Sequence, residues 1–149
     1  MVMYDIVPIG VVKSPYLTKE QAPSQGRNKD SEEMVIEIFE EYQKGLGDYR
    51  EVSHLIVLLW FDQAKRDLLF AKPPYSDQEK PVFTTRSPNR PNPVGFDIGR
   101  IISVDSGKIM IAGLDAIDNT PVIDIKPYIP SLDCIPGATE GKSKKSGKN

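Results

Sequence analysis

Hydrophobic residues along the chain fall into short runs, separated by polar segments that are rich in turn-forming residues. The runs at 6–13, 52–61, 81–85, 95–104, 108–114 and 121–125 have the length and the β-branched or alternating content that are typical of strands. The run 52–61 is mostly apolar, which predicts a strand buried on both faces. Residues 34–39 fit both alternation and helical spacing, so the pattern leaves their structure open.

The segments between these runs carry turn signals. Asp105-Ser106-Gly107 predicts a hairpin turn between two strands, and Asp118-Asn119 predicts a second turn. Residues 18–31 are polar and predict a loop, whereas residues 66–80 predict a helical turn followed by an excursion from the core. Strands outnumber helices, so we expect a mainly β fold: a small closed antiparallel β-barrel with few short helices.

Composition limits the class of protein. The chain has 149 residues, enough for one domain, and its net charge of −2 argues against non-specific coating of nucleic acid. One cysteine and one histidine cannot form a zinc site of the usual kind, and we expect no metal. The chain has no long apolar run and no signal-peptide pattern, so we expect a cytoplasmic protein without membrane segments.

The organisation that we expect is a folded domain over residues 1–136, followed by a flexible basic tail over residues 137–149. No glycine-rich turn links an early strand to a helix, and no phosphate-binding loop with its lysine is present. Neither of the two common glycine-loop devices for binding nucleotides is therefore expected.

The segment 84–96, TTRSPNRPNPVGF, concentrates arginine and proline between two predicted strands. Each of its three prolines fixes its own φ angle and restricts the residue before it, so the backbone is held near one extended shape. Arg86 and Arg90 therefore project from a stiff backbone, and a guanidinium fork on a rigid support suits an anion or a planar polar group. A plain surface loop is the alternative interpretation.

A second concentration of reactive groups lies at 113–130, GLDAIDNTPVIDIKPYIP. It holds three carboxylates in a largely apolar stretch, and Asp124 and Lys126 share one strand face by the period of two. Burial of such groups is unfavourable without partners, and Arg86 and Arg90 are candidates for that role. Ion pairs or turn caps are the alternative. The candidates for catalysis here are Asp115, Asp118, Asp124, Lys126 and Tyr128.

Several blocks of the sequence resemble the TsaA-like (TrmO, YaeB) family. They are IGVVKSPY at 9–16, APSQG at 22–26, SHL at 53–55, WF at 60–61, TRSPNRPNPVG at 85–95, and GLD through DIKPYIP between 113 and 130. The proline-arginine block and the DIKPY-x-P block are long and specific. The resemblance extends over residues 6–136.

The resemblance implies a reaction, a cofactor and a set of contacts. Members of the family transfer a methyl group from S-adenosylmethionine to N6 of threonylcarbamoyladenosine, beside the anticodon of tRNA. They are small β-barrels that act as homodimers. Carried over by motif, the cofactor contacts are Gln25, Gly26, Phe61, Asp62, Arg86, Phe96, Ala112, Gly113, Leu114 and Asp115. We expect Arg86, Arg90 and Asn92 to bind the substrate, with an arginine holding the threonyl carboxylate.

Two positions depart from the family pattern: Ser24 stands where many members have arginine, and Asp62 where many have histidine. From the resemblance we expect the chain to lack the extra C-terminal domain of longer members, and we expect the basic tail to help to bind tRNA. Apolar residues at Val57, Leu59 and in 66–75, together with the resemblance, favour a homodimer. The alternative functions are an RNA- or nucleotide-binding module without catalysis, and a methyltransferase or hydrolase acting on small molecules.

Overall fold

The computed structural model describes residues 1–22 and 32–140. The chain forms two compact units: the first consists of Met1–Asp62 and Val94–Tyr128, and the second of Gln63–Pro93 and Ile129–Asn149. In chain order the strands of the described residues are β1 (Gly10–Lys13), β2 (Glu33–Ile38), β3 (His54–Trp60), β4 (Phe70–Ala71), β5 (Lys80–Pro81), β6 (Val94–Asp105), β7 (Lys108–Ala112) and β8 (Thr120–Pro127).

The first unit is a closed antiparallel barrel, in which the strands follow the order β1-β2-β7-β6-β3-β8. This confirms the predicted fold class. The core is built from one face of each strand, because side chains alternate between the inside and the outside of a barrel. In β2 the inward positions are Met34, Ile36 and Ile38, all buried, which identifies the ambiguous stretch as a strand. A 3₁₀ helix, Glu40–Gly45, follows it.

The predicted hairpin between β6 and β7 is confirmed. Ser106 and Gly107 both have positive φ angles, 53° and 78°, as a type I′ turn requires. Asp118 and Asn119 also form the predicted turn, and Asn119 has a φ of 69°.

Two strand predictions were wrong in part. Residues 81–85 are mostly a 3₁₀ helix, Val82–Thr84, because the Thr85 amide and hydroxyl both donate to the Val82 carbonyl and close a turn. Strand β1 begins only at Gly10, since Pro8 has no N–H with which to extend the ladder.

The apolar side chains of Val57 and Leu59 are part of the sequence evidence that favours a homodimer. Both are fully buried in the barrel core, so they are not part of an exposed dimer surface.

The second unit contains the short ribbon β4–β5, the 3₁₀ helix Val82–Thr84 and a single-turn helix α1 (Pro130–Asp133). Its exposed large apolar residues are Leu69, Phe70, Tyr75, Phe83, Ile129, Leu132 and Ile135. Residues 138–140 have no regular structure, and the rest of the predicted tail lies outside the described residues. Within the described ranges, no helix has the length and the apolar content needed to cross a membrane.

Candidate active site

The candidate site lies at one end of the barrel, where β1, β3 and β7 finish and β2, β6 and β8 begin. We call this the site end. The strand registers define it, because Leu59 of β3 pairs with both Gly95 of β6 and Val122 of β8, while Val12 of β1 pairs with Thr120. The connection between β7 and β8, residues 113–119, therefore leaves the barrel at this end.

The inward face of β6 near the site end carries no aliphatic side chain. Its inward positions are Gly95, Asp97 and Gly99, which pair with the buried residues Leu59, Val57 and Leu55. The ring of Phe61 covers Gly95, with Cε2 2.6 Å from the place of an added Cβ. Ile111 fills the corresponding space at Gly99, again at 2.6 Å. Asp97 is thus the one polar group on this inner face.

Asp115 sits beside Asp97 in the connection between β7 and β8. The Asp115 amide donates to Asp97 Oδ2 at 3.3 Å. Asp115 Oδ1 is fully buried, and it has no hydrogen-bond partner among the residues that the structure describes. An unsatisfied buried oxygen costs about 1–3 kcal/mol, so this atom is suited to accept a hydrogen bond from a ligand.

Asp118 is engaged with the segment that follows β1. Its Oδ1 accepts a hydrogen bond from the Ser14 amide at 2.9 Å, and its own amide donates to the Tyr16 carbonyl at 2.6 Å. The Tyr16 hydroxyl also donates a hydrogen bond to Glu32, the residue before β2. Desolvation and the Glu32 carboxylate raise the pKa of Tyr16 above its usual value.

Of the remaining catalytic candidates, Asp124 and Lys126 lie in β8, and Tyr128 follows directly after it. Asp124 and Lys126 form an ion pair of 2.9 Å, which confirms that they share a face. The Asp124 carboxylate is therefore paired with Lys126 of its own strand. The Tyr128 amide donates to the His54 carbonyl, at the far end of β3, about 20 Å of strand from Trp60. The structure does not bring Tyr128 next to Asp115.

The predicted cofactor contacts do not all share one face of the barrel. Phe61 covers the inner position at Gly95, whereas Phe96 is the next residue of β6 and lies on the outer face, 47% exposed. Ala112, Gly113 and Leu114 are buried, and Gly113 has a φ of 98°, which favours glycine. Asp62 is exposed. Gln25, Gly26 and Ser24 lie outside the described residues.

In the second unit, the proline-rich segment is braced by its own hydrogen bonds. Arg90 Nη1 donates to the carbonyl oxygens of Thr85 and Ser87, at 3.0 and 2.9 Å. Arg66 Nε donates to the Pro91 carbonyl at 2.7 Å, and its Nη2 donates to Asn92 Oδ1 at 3.2 Å.

These bonds add to the restriction that the prolines impose and hold the segment in a single shape. Arg86 is exposed. Among residues 1–22 and 32–140, no three His, Cys, Asp or Glu side chains are grouped so that they could hold a metal ion.

Three residues of these arrangements were missed in the sequence. Asp97 could have been found, because the inward phase of β6 reads Gly-Asp-Gly where a core strand normally carries aliphatic residues. Ser14 and Arg66 gave no such signal, because their contacts are long-range. Ser14 contacts a residue 104 positions away, and Arg66 contacts residues 25 and 26 positions away.

Comparisons with known proteins agree with the motifs. The model of the tRNA-methyltransferase O N-terminal domain matches residues 11–134. An S-adenosyl-L-methionine-binding protein of Archaeoglobus fulgidus is 49% identical over 128 residues, which are 86% of this chain and 91% of that protein. A probable S-adenosyl-L-methionine-binding protein of Methanothermobacter thermautotrophicus is 44% identical over 131 residues, 87% of this chain and 93% of its own.

Solved structures match as well. A crystal structure of TrmO from Pseudomonas aeruginosa superposes with a TM-score of 0.81 at 29% sequence identity. The match covers 94% of this chain but only 62% of that one, so this chain spans less than two thirds of the TrmO structure.

Proposed function

The chain belongs to the family of the tRNA-methyltransferase O N-terminal domain, and we propose that it is an S-adenosylmethionine-dependent tRNA methyltransferase. Its acceptor would be N6 of threonylcarbamoyladenosine beside the anticodon. The observation that carries the proposal is the match over residues 11–134, which includes both motif segments, 84–96 and 113–130.

The residues at the site end fit the cofactor. When bound, S-adenosylmethionine supplies an electrophilic methyl group and leaves as S-adenosylhomocysteine. It carries an ammonium group and ribose hydroxyls, which can donate hydrogen bonds to polar groups of the run from Ala112 to Asp115. Phe61 offers an aromatic ring for an adenine. We propose as cofactor contacts Gln25, Gly26, Phe61, Asp62, Arg86, Phe96, Ala112, Gly113, Leu114 and Asp115.

The acceptor nitrogen must lose a proton. Carbamoylation makes the N6–H more acidic, so a carboxylate can serve as the general base. Asp124 is paired with Lys126 and Asp118 Oδ1 is occupied by the Ser14 amide, whereas Asp115 Oδ1 has no partner among the described residues. Asp115 is therefore our candidate for the group that takes the proton. Alignment of donor and acceptor contributes the rest, and it requires no metal.

Substrate contacts are assigned to the second unit. The Arg90 Nη1 group is engaged with loop carbonyls, but a guanidinium has five N–H donors. The three donors on Nε and Nη2 have no partner among the described residues, and we propose that they bind the threonyl carboxylate. Arg86 and Asn92 are proposed as further substrate contacts. We also propose that the protein works as a homodimer in the cytoplasm, and that Lys142, Lys144, Lys145 and Lys148 of the tail meet tRNA phosphates.

Titration calorimetry with S-adenosylmethionine tests the cofactor assignment. We expect saturable binding with one site per chain, weakened by Asp115→Ala and left unchanged by Asp77→Ala, which removes an exposed carboxylate of the second unit. A module that only binds RNA would release no heat with the cofactor. That result would refute the proposed enzyme.

A further inference from the structure

We propose that Asp118 is a positioning residue: it fixes the connection at residues 113–119, and so the place of Asp115, and does not itself take the substrate proton. This inference rests on the proposed function, because it assigns a role within the same site. It concerns a carboxylate whose sequence context alone suggested catalysis.

The first support is a pair of hydrogen bonds that run in opposite directions between two segments. The Ser14 amide donates to Asp118 Oδ1 at 2.9 Å, and the Asp118 amide donates to the Tyr16 carbonyl at 2.6 Å. One bond uses the side chain and the other the main chain, so together they fix both the position and the orientation of residue 118 relative to the exit of β1. A carboxylate held in this way is committed to the backbone of Ser14.

Residues next to Asp118 add hydrogen bonds to this attachment between residues 113–119 and the exit of β1, which we call the Asp118 tether. The Asn119 amide donates to the Val12 carbonyl at 2.8 Å, and Lys13 Nζ donates to Asn119 Oδ1 at 2.7 Å. On the β1 side, the Tyr16 amide donates to Ser14 Oγ at 3.0 Å, which shapes the receiving segment. The end of the connection nearest β8 is thus attached through main-chain and side-chain bonds.

The attachment nearer Asp115 is weaker. There the Asp115 amide reaches Asp97 Oδ2 at 3.3 Å, at the long end of the range for such a bond. Between the two attachments Leu114 and Ala116 are buried in the barrel core on either side of Asp115. The Ile117 carbonyl accepts hydrogen bonds from the Thr120 hydroxyl and amide, at 2.7 and 3.3 Å, so the connection is also attached to β8. Loss of the Asp118 hydrogen bonds would reach Asp115, three residues away, through Ala116 and Ile117.

The decisive comparison uses Asp118→Asn and Asp118→Ala. Asparagine keeps an oxygen that can accept from the Ser14 amide but cannot take a proton, whereas alanine loses both properties. We expect Asp118→Asn to keep its kcat for methyl transfer to tRNA within about threefold of the parent. We expect Asp118→Ala to raise the KM and the Kd for S-adenosylmethionine at least tenfold, measured at a temperature at which circular dichroism shows a folded protein.

Hydrogen exchange provides a readout that does not depend on the reaction. In Asp118→Ala the amides of Ser14 and Asp115 should exchange faster with solvent, and Asp118→Asn should restore their protection. Asp67→Ala, which removes an exposed carboxylate of the second unit, is the matched control and should change neither amide. A protein that binds no S-adenosylmethionine would refute the proposed function, while the exchange rates would still decide whether the tether exists.

Two results would overturn the inference. One is an Asp118→Asn protein that is folded, binds the cofactor normally and is as inactive as a catalytic-base variant, since that outcome makes Asp118 the base. The other is unchanged exchange at Ser14 and Asp115 when the acceptor oxygen is removed. If Asp118→Ala does not fold, Asp118→Asn alone decides between the two roles.

Discussion

The aromatic ring of Phe61 lies against the main chain of Gly95, in the space that any larger side chain at that position would fill. The Phe61 Cε2 atom is 2.6 Å from the place of a Cβ at Gly95, and the Leu59 Cβ is 3.3 Å from it. Because Gly95 is an inward position of β6, the ring closes over the inner wall of the barrel at the site end. The glycine is required so that the aromatic ring can lie this close to the strand.

Substitution of Gly95 by alanine should therefore displace Phe61. We expect a loss of about 1–3 kcal/mol in the free energy of unfolding, as for overpacked cores, and a weaker affinity for S-adenosylmethionine. Gly45→Ala is the matched control, since an added Cβ there meets nothing within 4 Å. Chemical denaturation and calorimetry measure the two effects. Normal cofactor affinity in a folded Gly95→Ala protein would remove Phe61 from the cofactor site.

The turn at Asn119 allows a test of backbone strain. Its φ of 69° costs a residue with a Cβ about 1–2 kcal/mol, while glycine adopts it freely. Asn119→Ala and Asn119→Gly both lose the bond from Lys13, so the difference between them isolates the backbone term. We expect Asn119→Ala to unfold at lower denaturant concentration than Asn119→Gly. The reverse order would show that the left-handed conformation does not limit stability here.

Arg66 should matter to substrate binding, although nothing in the sequence marks it. Its guanidinium joins the Pro91 carbonyl and the Asn92 side chain, so Arg66→Lys would keep the charge and lose the planar fork. We expect the KM for tRNA to rise about three- to tenfold with little change in melting temperature, because the contact is exposed.

Arg50→Lys provides the control for Arg66. Arg50 forms a similar two-point contact with Asp48, in the first unit, and replacement by lysine should leave the KM for tRNA unchanged. Equal kinetic effects in the two variants would mean that bracing of the proline-rich segment is not important for the substrate.

The Asp115 carboxylate should be needed for rate more than for folding. Asp115→Asn removes a charge whose Oδ1 is buried without a partner among the described residues, so we expect an unchanged or slightly higher melting temperature. Loss of a general base reduces kcat by about 10²–10⁴-fold. Asp124→Asn, at a half-exposed ion pair, should reduce kcat by less than about threefold. A parent-like kcat in Asp115→Asn would exclude it as the base.

Short-range patterns in the sequence were sufficient to predict the barrel. Alternation predicted most of the strands, and Asp105-Ser106-Gly107 predicted the hairpin, because both are set by residues within a few positions of each other. The residues of Val82–Thr84 favour β-structure and predict a strand, yet the Thr85 hydroxyl closes a turn on Val82. The hydrogen bonds of the Thr85 amide and hydroxyl to the Val82 carbonyl, together with the bond from the Thr84 hydroxyl to the Pro81 carbonyl, outweigh the local propensity for a strand.

The sequence predicts the candidate site less completely than it predicts the barrel, because the contacts of the site join residues that are far apart in the chain. The period of two correctly paired Asp124 with Lys126, two residues apart. No local pattern distinguishes the role of Asp118 from that of Asp115. In the structure, the amide of Ser14, 104 positions before Asp118, donates a hydrogen bond to the Asp118 carboxylate. Strand registers across the barrel decide which of several similar carboxylates accepts a hydrogen bond from another part of the chain. No local pattern of residues contains those registers.

The most direct test of the proposed function is methyl transfer to two preparations of the same tRNA, one carrying threonylcarbamoyladenosine and one carrying plain adenosine at that position. The purified protein is incubated with isotopically labelled S-adenosylmethionine, and the nucleosides are analysed by mass spectrometry. The proposed function predicts labelled N6-methyl-threonylcarbamoyladenosine from the first preparation and no label in the second. Label in neither preparation, from a folded protein that binds the cofactor, or equal label in both, would contradict it.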